Sequence, residues 1–248
     1  MSDNNYYIMQ KKKLSKSTKK FLNPITPELH DMFGKKETDI IKLKVKSEYE
    51  KLIPSFPYIG GNKNKLTSSL VKGSIFLALY KVLTEYNIEL YDIGKLIYLT
   101  STRHFNRLPF CLRKLMRKRM FLKSRVRKMK ERALCSQQKK YPYDWVWEVK
   151  EGDGTNYDLA IDYTECGIVK FFHDHDADEL TPYLCNLDFV IFKALGVELN
   201  RTKTLGCGCD CCNFRFIKNG TPREPWPPFF IESASKQTNT IEKPVDSN

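Results

Sequence analysis

The chain has 248 residues, 41% apolar and 12% aromatic, enough for a substantial core, and 42 Lys or Arg against 29 Asp or Glu give a formal net charge of +13. No N-terminal export signal is visible and the apolar run SIFLALYKVL is too short to span a bilayer, so a cytoplasmic protein without a membrane segment is expected. Eight cysteines in that setting are expected to be reduced, and so available for core filling, metal ligation or nucleophilic chemistry.

In chain order, residues 1–20 are polar and lysine-rich and are expected to form a disordered basic tail, as are residues 231–248 at the other end. Between them, residues 21–230 read as a single domain, mainly helical over 38–135 and mixed over 141–217. The pattern predicts a helix over 38–53 ended by Pro54. A long buried helix follows from Leu66 to Leu83, then a shorter one near 90–101. Residues 103–140 hold 15 Lys or Arg and one acidic residue, so nearly all the excess charge lies there. Within that segment Leu112, Leu115, Met116, Leu122, Val126, Met129 and Ala133 recur at helical spacing, which predicts one amphipathic helix over 110–135 with a basic outer face. No nucleic-acid fold motif accompanies it, and nucleic acid is not expected as a partner.

After Tyr141 the period changes from helical to alternating. DWVWEVK and YDLAIDYT predict a β-hairpin, followed by a helical stretch near 165–174 and an acidic connector, FFHDHDADEL. A further helix is expected with Thr181 as its cap, Pro182 at its first position and Gly196 at its end. VELNRTKTL and CNFRFIK then read as two strands joined by a cysteine-rich turn. The expected fold class is α+β: a helical N-terminal half packed on an antiparallel sheet of two hairpins, ordered strand-strand-helix-helix-strand-strand.

Three groups of residues carry potential chemistry. Cys185, placed by this reading near a helix N-terminus where free N–H groups favour a thiolate, has Asp188 three residues on along the same face. Alone, Cys-x-x-Asp also suits a core cysteine. Cys207, Cys209, Cys211 and Cys212 crowd one turn, but a closed zinc site normally draws on two separated pairs and no second knuckle exists, so no metal and no cofactor is expected. If the turn is extended, Cys212 faces away from the other three. His173, Asp174, His175, Asp176, Asp178 and Glu179 read as a solvated connector.

The segments YPYDWVWEV, YDLAIDYTECGIVKFF, DELTPYLCNLDFVIFKALGVELNRTKTL and CCNFRF resemble the L-2-amino-thiazoline-4-carboxylic acid hydrolase family, over roughly residues 60–217 and most specifically 141–217. The family's recurring elements fall on Cys166, on Cys185 and Asp188, on Arg201, Thr202, Thr204 and Leu205, and on a terminal C-D-F. Here that last element reads Cys212, Asn213, Phe214, which removes a charge beside the matched site. The resemblance implies hydrolysis of a non-peptide C–N bond in a cyclic amidine, a small-molecule substrate. Cys185, Asp188 and Cys212 would then be catalytic, and Arg201, Thr204 and Cys166 would bind substrate. A more distant similarity, to four-vinyl-reductase-like ligand-binding domains and transport-particle subunits, implies instead a non-catalytic binding module. Capture of a soft metal or organometal by Cys185, Asp188 and Cys212 is the third reading.

Overall fold

A computed structural model describes residues 5–231. Two helices, α1 (Asn5–Ile8) and α2 (Lys11–Leu22), occupy the segment expected to be a disordered tail. Lysines hide a stripe there: Tyr7, Ser15, Thr18 and Leu22 are buried, at spacings that place one helix face inward. Tyr7 is only 2% exposed, its hydroxyl donates to Pro57 O at 3.2 Å, and its ring meets Phe56 edge-on. The C-terminal tail expected from 231 lies, beyond Ile231, outside the described residues.

Helix α3 (Thr26–Leu52) begins twelve residues before the expected start at 38. Gly34 interrupts it at φ 74°, a left-handed conformation that glycine adopts without steric cost, and this break obscures the period of the first segment. Helix α4 (Thr67–Glu85) runs through the middle of the helical layer. Leu70, Ile75, Leu77, Ala78, Leu79 and Leu83 are all fully buried, and the middle of the helix, 73–79, is covered on every side, while Ser68, Ser69, Lys72, Thr84 and Glu85 reach the surface towards its ends. It packs on α3 and on α5 (Leu90–Asn106).

The basic segment departs from expectation in two ways. It forms two helices, α6 (Phe110–Met120) and α7 (Lys123–Ser136), broken where Leu122 becomes extended. The apolar positions do not all turn inward: α6 has no buried residue, Phe110 is 73% exposed and Leu115 49%. Tertiary contacts explain the break, since α6 packs on a later helix and α7 on the first strand, and one straight helix cannot follow both.

The sheet contains β1 (Val146–Glu151), β2 (Leu159–Glu165), β3 (Glu198–Asn200) and β4 (Cys212–Ile217) in the order β1-β2-β4-β3, every pair antiparallel. It is the two-hairpin sheet expected. Register places Trp147 opposite Tyr163, Tyr163 opposite Cys212 and Ile161 opposite Phe214. Because side chains alternate, these residues share one face, directed at the helices, while Asp162, Asn213 and Arg215 share the other. On that outer face Asp162 accepts from Arg215 at 2.5 Å and from Lys150 at 2.9 Å. Between the hairpins run α8 (Gly167–His173), α9 (Thr181–Cys185) and α10 (Leu187–Leu195). Gly196 closes α10 in the left-handed conformation at φ 69°, as the sequence indicated.

Candidate active site

The expected single helix from Thr181 is interrupted at Asn186, which is buried and donates from Nδ2 to Pro225 O at 2.5 Å. Thr181 does not cap it: Leu180 precedes the first turn, and Thr181 Oγ1 is buried with no hydrogen-bond partner among the described residues. Cys185 is therefore the last residue of α9, where carbonyls rather than N–H groups are exposed. The thiol at a helix N-terminus is instead Cys166, which precedes α8 in an extended conformation.

These elements enclose a cavity of about 360 Å³ between the sheet face and α9–α10. Cys166, Cys185, Asp188, Arg201 and Cys212 all line it, so residues spread over 47 positions of sequence are brought to one space. Most of the remaining wall is apolar, supplied by Trp145, Ile161, Phe192, Phe214 and, from the basic helices, Met120 and Met129. The sixth expected residue, Thr204, does not line the cavity. It lies buried behind it, its Oγ1 3.5 Å from Cys212 Sγ.

Arg201 organises the polar side. Its side chain is 1% exposed, Nη1 donates to Asp188 Oδ2 at 2.8 Å and Nη2 to the Cys185 carbonyl at 2.7 Å. The guanidinium also lies over Phe189, Phe214 and Phe230, with centroids 4.9 to 5.6 Å away, so delocalised charge is held against three ring faces. Two of its donors are thus committed within the protein, and its first role is to fix Asp188 and the end of α9. Asp188 sits in the first turn of α10 with its side chain 34% exposed towards the cavity. Desolvation raises its pKa above the ordinary carboxylate value, and the Arg201 charge opposes that rise.

Burial raises all three cavity thiols, but to different extents. Cys185 is pushed far above the ordinary thiol range, against a weaker opposing pull from Arg201. Cys166 is pushed up to about 11, with the N–H groups of Val169 and Ile168 opposing. Cys212 is raised as well, yet its sulfur receives the Leu205 N–H at 3.2 Å and the Thr204 hydroxyl, and Arg201 adds favourable charge. Cys212 therefore differs from Cys185 in having a backbone N–H, that of Leu205, directed at its sulfur.

Cys212 leaves its turn at the start of β4 and points inward, whereas Cys207, Cys209 and Cys211 are only partly buried. The turn is not extended as supposed: Leu205–Cys207 form a single 3₁₀ turn and Gly208 is left-handed at φ 79°. Among the described residues no group of three or more His, Cys, Asp or Glu is arranged to hold a metal ion. The acidic connector is tied into the surface, with His173 Nδ1 2.9 Å from Asp178 and Tyr80 donating to Glu179 at 2.6 Å.

Asn213 occupies the outer face, not the cavity. Its Oδ1 accepts from the N–H groups of Thr202 at 3.0 Å and Lys203 at 2.7 Å, and Nδ2 donates to Thr202 Oγ1 at 2.8 Å. An amide oxygen takes both N–H bonds as a carboxylate would, and the NH₂ adds a third. The departure from C-D-F thus alters the clamp behind Arg201 and not the charge inside the cavity.

A family model, L-2-amino-thiazoline-4-carboxylic acid hydrolase, matches residues 91–216, just over half the chain and the entire stretch from α5 to β4 that supplies the six residues above. The chain belongs to this hydrolase family. Comparison with curated proteins and with solved structures gives no match. Within the hydrolase family assignment, the N-terminal layer α1–α4 lies outside the matched region and provides support for α5 and α8.

Two residues at the site carry no motif in the sequence of this hydrolase-family chain. Tyr163 lines the cavity, stacks on Trp147 at 5.8 Å, and its hydroxyl is raised above the ordinary range by burial, with Asp188 adding to the rise. The other, Gly206, lies against Cys185 outside the cavity lining: a Cβ there would stand 2.7 Å from Cys185 Sγ and 2.9 Å from Thr181 Cγ2. Gly206→Ala is expected to cost about 1–3 kcal/mol by overpacking, read as a lower urea midpoint with an unchanged m-value.

Proposed function

We propose that this chain hydrolyses a cyclic amidine, opening a ring at a non-peptide C–N bond inside the thiol-lined cavity. The observation that carries the reading is the convergence of Asp188, Cys185 and Cys212 on one mostly apolar space, with Arg201 fixing the carboxylate. A flat heterocycle suits the aromatic walls, and an amidinium suits the carboxylate. The chemistry of the matched positions points first to Cys185 as the attacking thiol; the surroundings favour Cys212 instead, since its sulfur accepts the Leu205 N–H and lies 3.5 Å from the Thr204 hydroxyl, while burial holds Cys185 far above the ordinary thiol range.

The steps balance as follows. Cys212 passes its proton to the Asp188 carboxylate, and its sulfur bonds to the amidinium carbon to give a tetrahedral adduct. The carbon–nitrogen bond breaks with its electron pair on nitrogen, which takes the proton back from Asp188. Water then adds to the sulfur-bound carbon and the Cys212 thiol leaves, so the net change is the addition of one water. Arg201 holds Asp188 throughout and has donors remaining for a substrate carboxylate. Cys185 and Cys166 stay neutral and shape the cavity, while Thr204 acts through the sulfur of Cys212.

The direct test incubates purified protein with L-2-amino-thiazoline-4-carboxylate and follows ring opening by mass spectrometry. A product heavier by one water is expected. A ligand retained unchanged with no ring opening would overturn the hydrolase reading in favour of a binding module.

A further inference from the structure

Next to the thiol cavity lies an open cleft of about 730 Å³ that ring opening does not use. Leu66, Met129, Trp145, Ile161 and Tyr163 line both, so the two spaces meet along one wall. The cleft is basic and aromatic. Lys63, Lys65, Arg132, Lys139 and Lys140 line it, together with Tyr58 and Tyr141, whose rings meet edge-on at 5.6 Å.

Not all of this charge is free. Lys139 pairs with Glu165 at 2.5 Å, and Lys140 lies over the Tyr141 ring. The carboxylate of the cleft, Asp144, is already engaged, accepting from Asn64 Nδ2 and from Trp145 N, each at 2.8 Å. Lys63, Lys65 and Arg132 make no ion pair among the described residues. Arg119, Arg125 and Lys128 from α6 and α7 add to the crowd, and with Arg132 they lower the Lys65 pKa by repulsion. Among the described residues these cations outnumber the one carboxylate that lines the cleft, Asp144, and repel one another, so a bound anion relieves them.

We infer that the cleft is a binding site for the phosphate of an organic phosphate whose flat body extends along the shared wall to the thiol cavity. As a statement about substrate, this rests on the hydrolase reading; as an anion site, it rests on the cleft alone. Three unpaired cations call for more than the single charge of a carboxylate, and a phosphate monoester carries about −1.5 to −2 at neutral pH. The charge rims a concave, aromatic-lined space opening beside a chemical cavity, a shape that admits a small molecule and not a duplex. Such a substrate would place its amidine at Asp188 and its phosphate between Lys65 and Arg132.

The probe is 2-naphthyl phosphate, titrated calorimetrically into the full chain at low and moderate salt, with 2-naphthol as the uncharged control. The phosphate is expected to bind about tenfold more tightly than naphthol or better, equivalent to about 1.4 kcal/mol, and to weaken with salt. Lys65→Glu/Arg132→Glu should abolish that preference while leaving naphthol binding and the circular dichroism spectrum unchanged, and Lys35→Glu/Lys36→Glu, remote on α3, should leave it intact. Equal affinity for the two probes, or a preference that survives the double reversal, overturns the inference. Retention on anionic vesicles without naphthyl phosphate binding overturns it too and assigns the basic face to a lipid surface. Probe binding that responds to the reversals in a protein without amidine turnover upholds the anion site and sinks only the hydrolase reading.

Discussion

Cys212→Ala is expected to lower kcat/KM for ring opening by about 10⁴-fold, the scale on which removal of an attacking group acts. The fold should survive, since a buried cysteine replaced by alanine leaves a small cavity and loses only the bonds from Leu205 N–H and Thr204. Cys185→Ala provides the contrast. Its thiol is held more firmly in the neutral form, and its loss should reduce turnover about tenfold through altered cavity shape. The opposite ranking would return the attack to Cys185. The pH profile carries a second signature: the mechanism needs Asp188 as carboxylate before attack, and desolvation raises its pKa. Activity is therefore expected to fall on the acid side at a pH above the ordinary carboxylate value, and to be restored as pH rises through that folded-state pKa. Asp188→Asn should remove that limb together with most of the activity.

Arg201→Met is expected to destabilise the protein by about 3 kcal/mol, because removing one partner of a buried pair leaves the other without compensation. Asp188 would lose its 2.8 Å partner, the Cys185 carbonyl its donor, and three phenylalanine rings the cation between them. On a domain of this size such a loss lowers Tm by about 6–12 °C. Arg201→Lys keeps the charge but not the planar fork, and should fall between the two, since a point charge does not reach Asp188 and the carbonyl together. A Tm change below 2 °C, about half a kcal/mol, would mean that solvent in the cavity already screens the pair.

The sequence revealed the two-hairpin sheet because its strands alternate cleanly, and it revealed five of the cavity residues because family motifs fall on them. What it concealed has physical causes. The N-terminal helices were masked by lysines on their outer faces, so a polar composition hid the inward row Tyr7, Ser15, Thr18 and Leu22. Cys185 reads as lying near the N-terminus of a long helix because Thr181-Pro182 does start one, but that helix ends at Cys185 and buried Asn186 separates it from α10. Arg201 reads from sequence as a substrate clamp, and only the folded chain brings Asp188 and the Cys185 carbonyl within its reach. Tyr163 and the shared wall of the two spaces depend on β2 lying between β1 and β4, a strand order that no local pattern encodes.

Rapid acid quench during turnover of L-2-amino-thiazoline-4-carboxylate, followed by peptide mass mapping, tests the central claim most directly. The peptide containing Cys212 is expected to carry the mass of the substrate at early times and to return to its unmodified mass as the ring-opened product accumulates. Turnover at full rate with Cys212 never modified, or with the adduct only on Cys185, would contradict it.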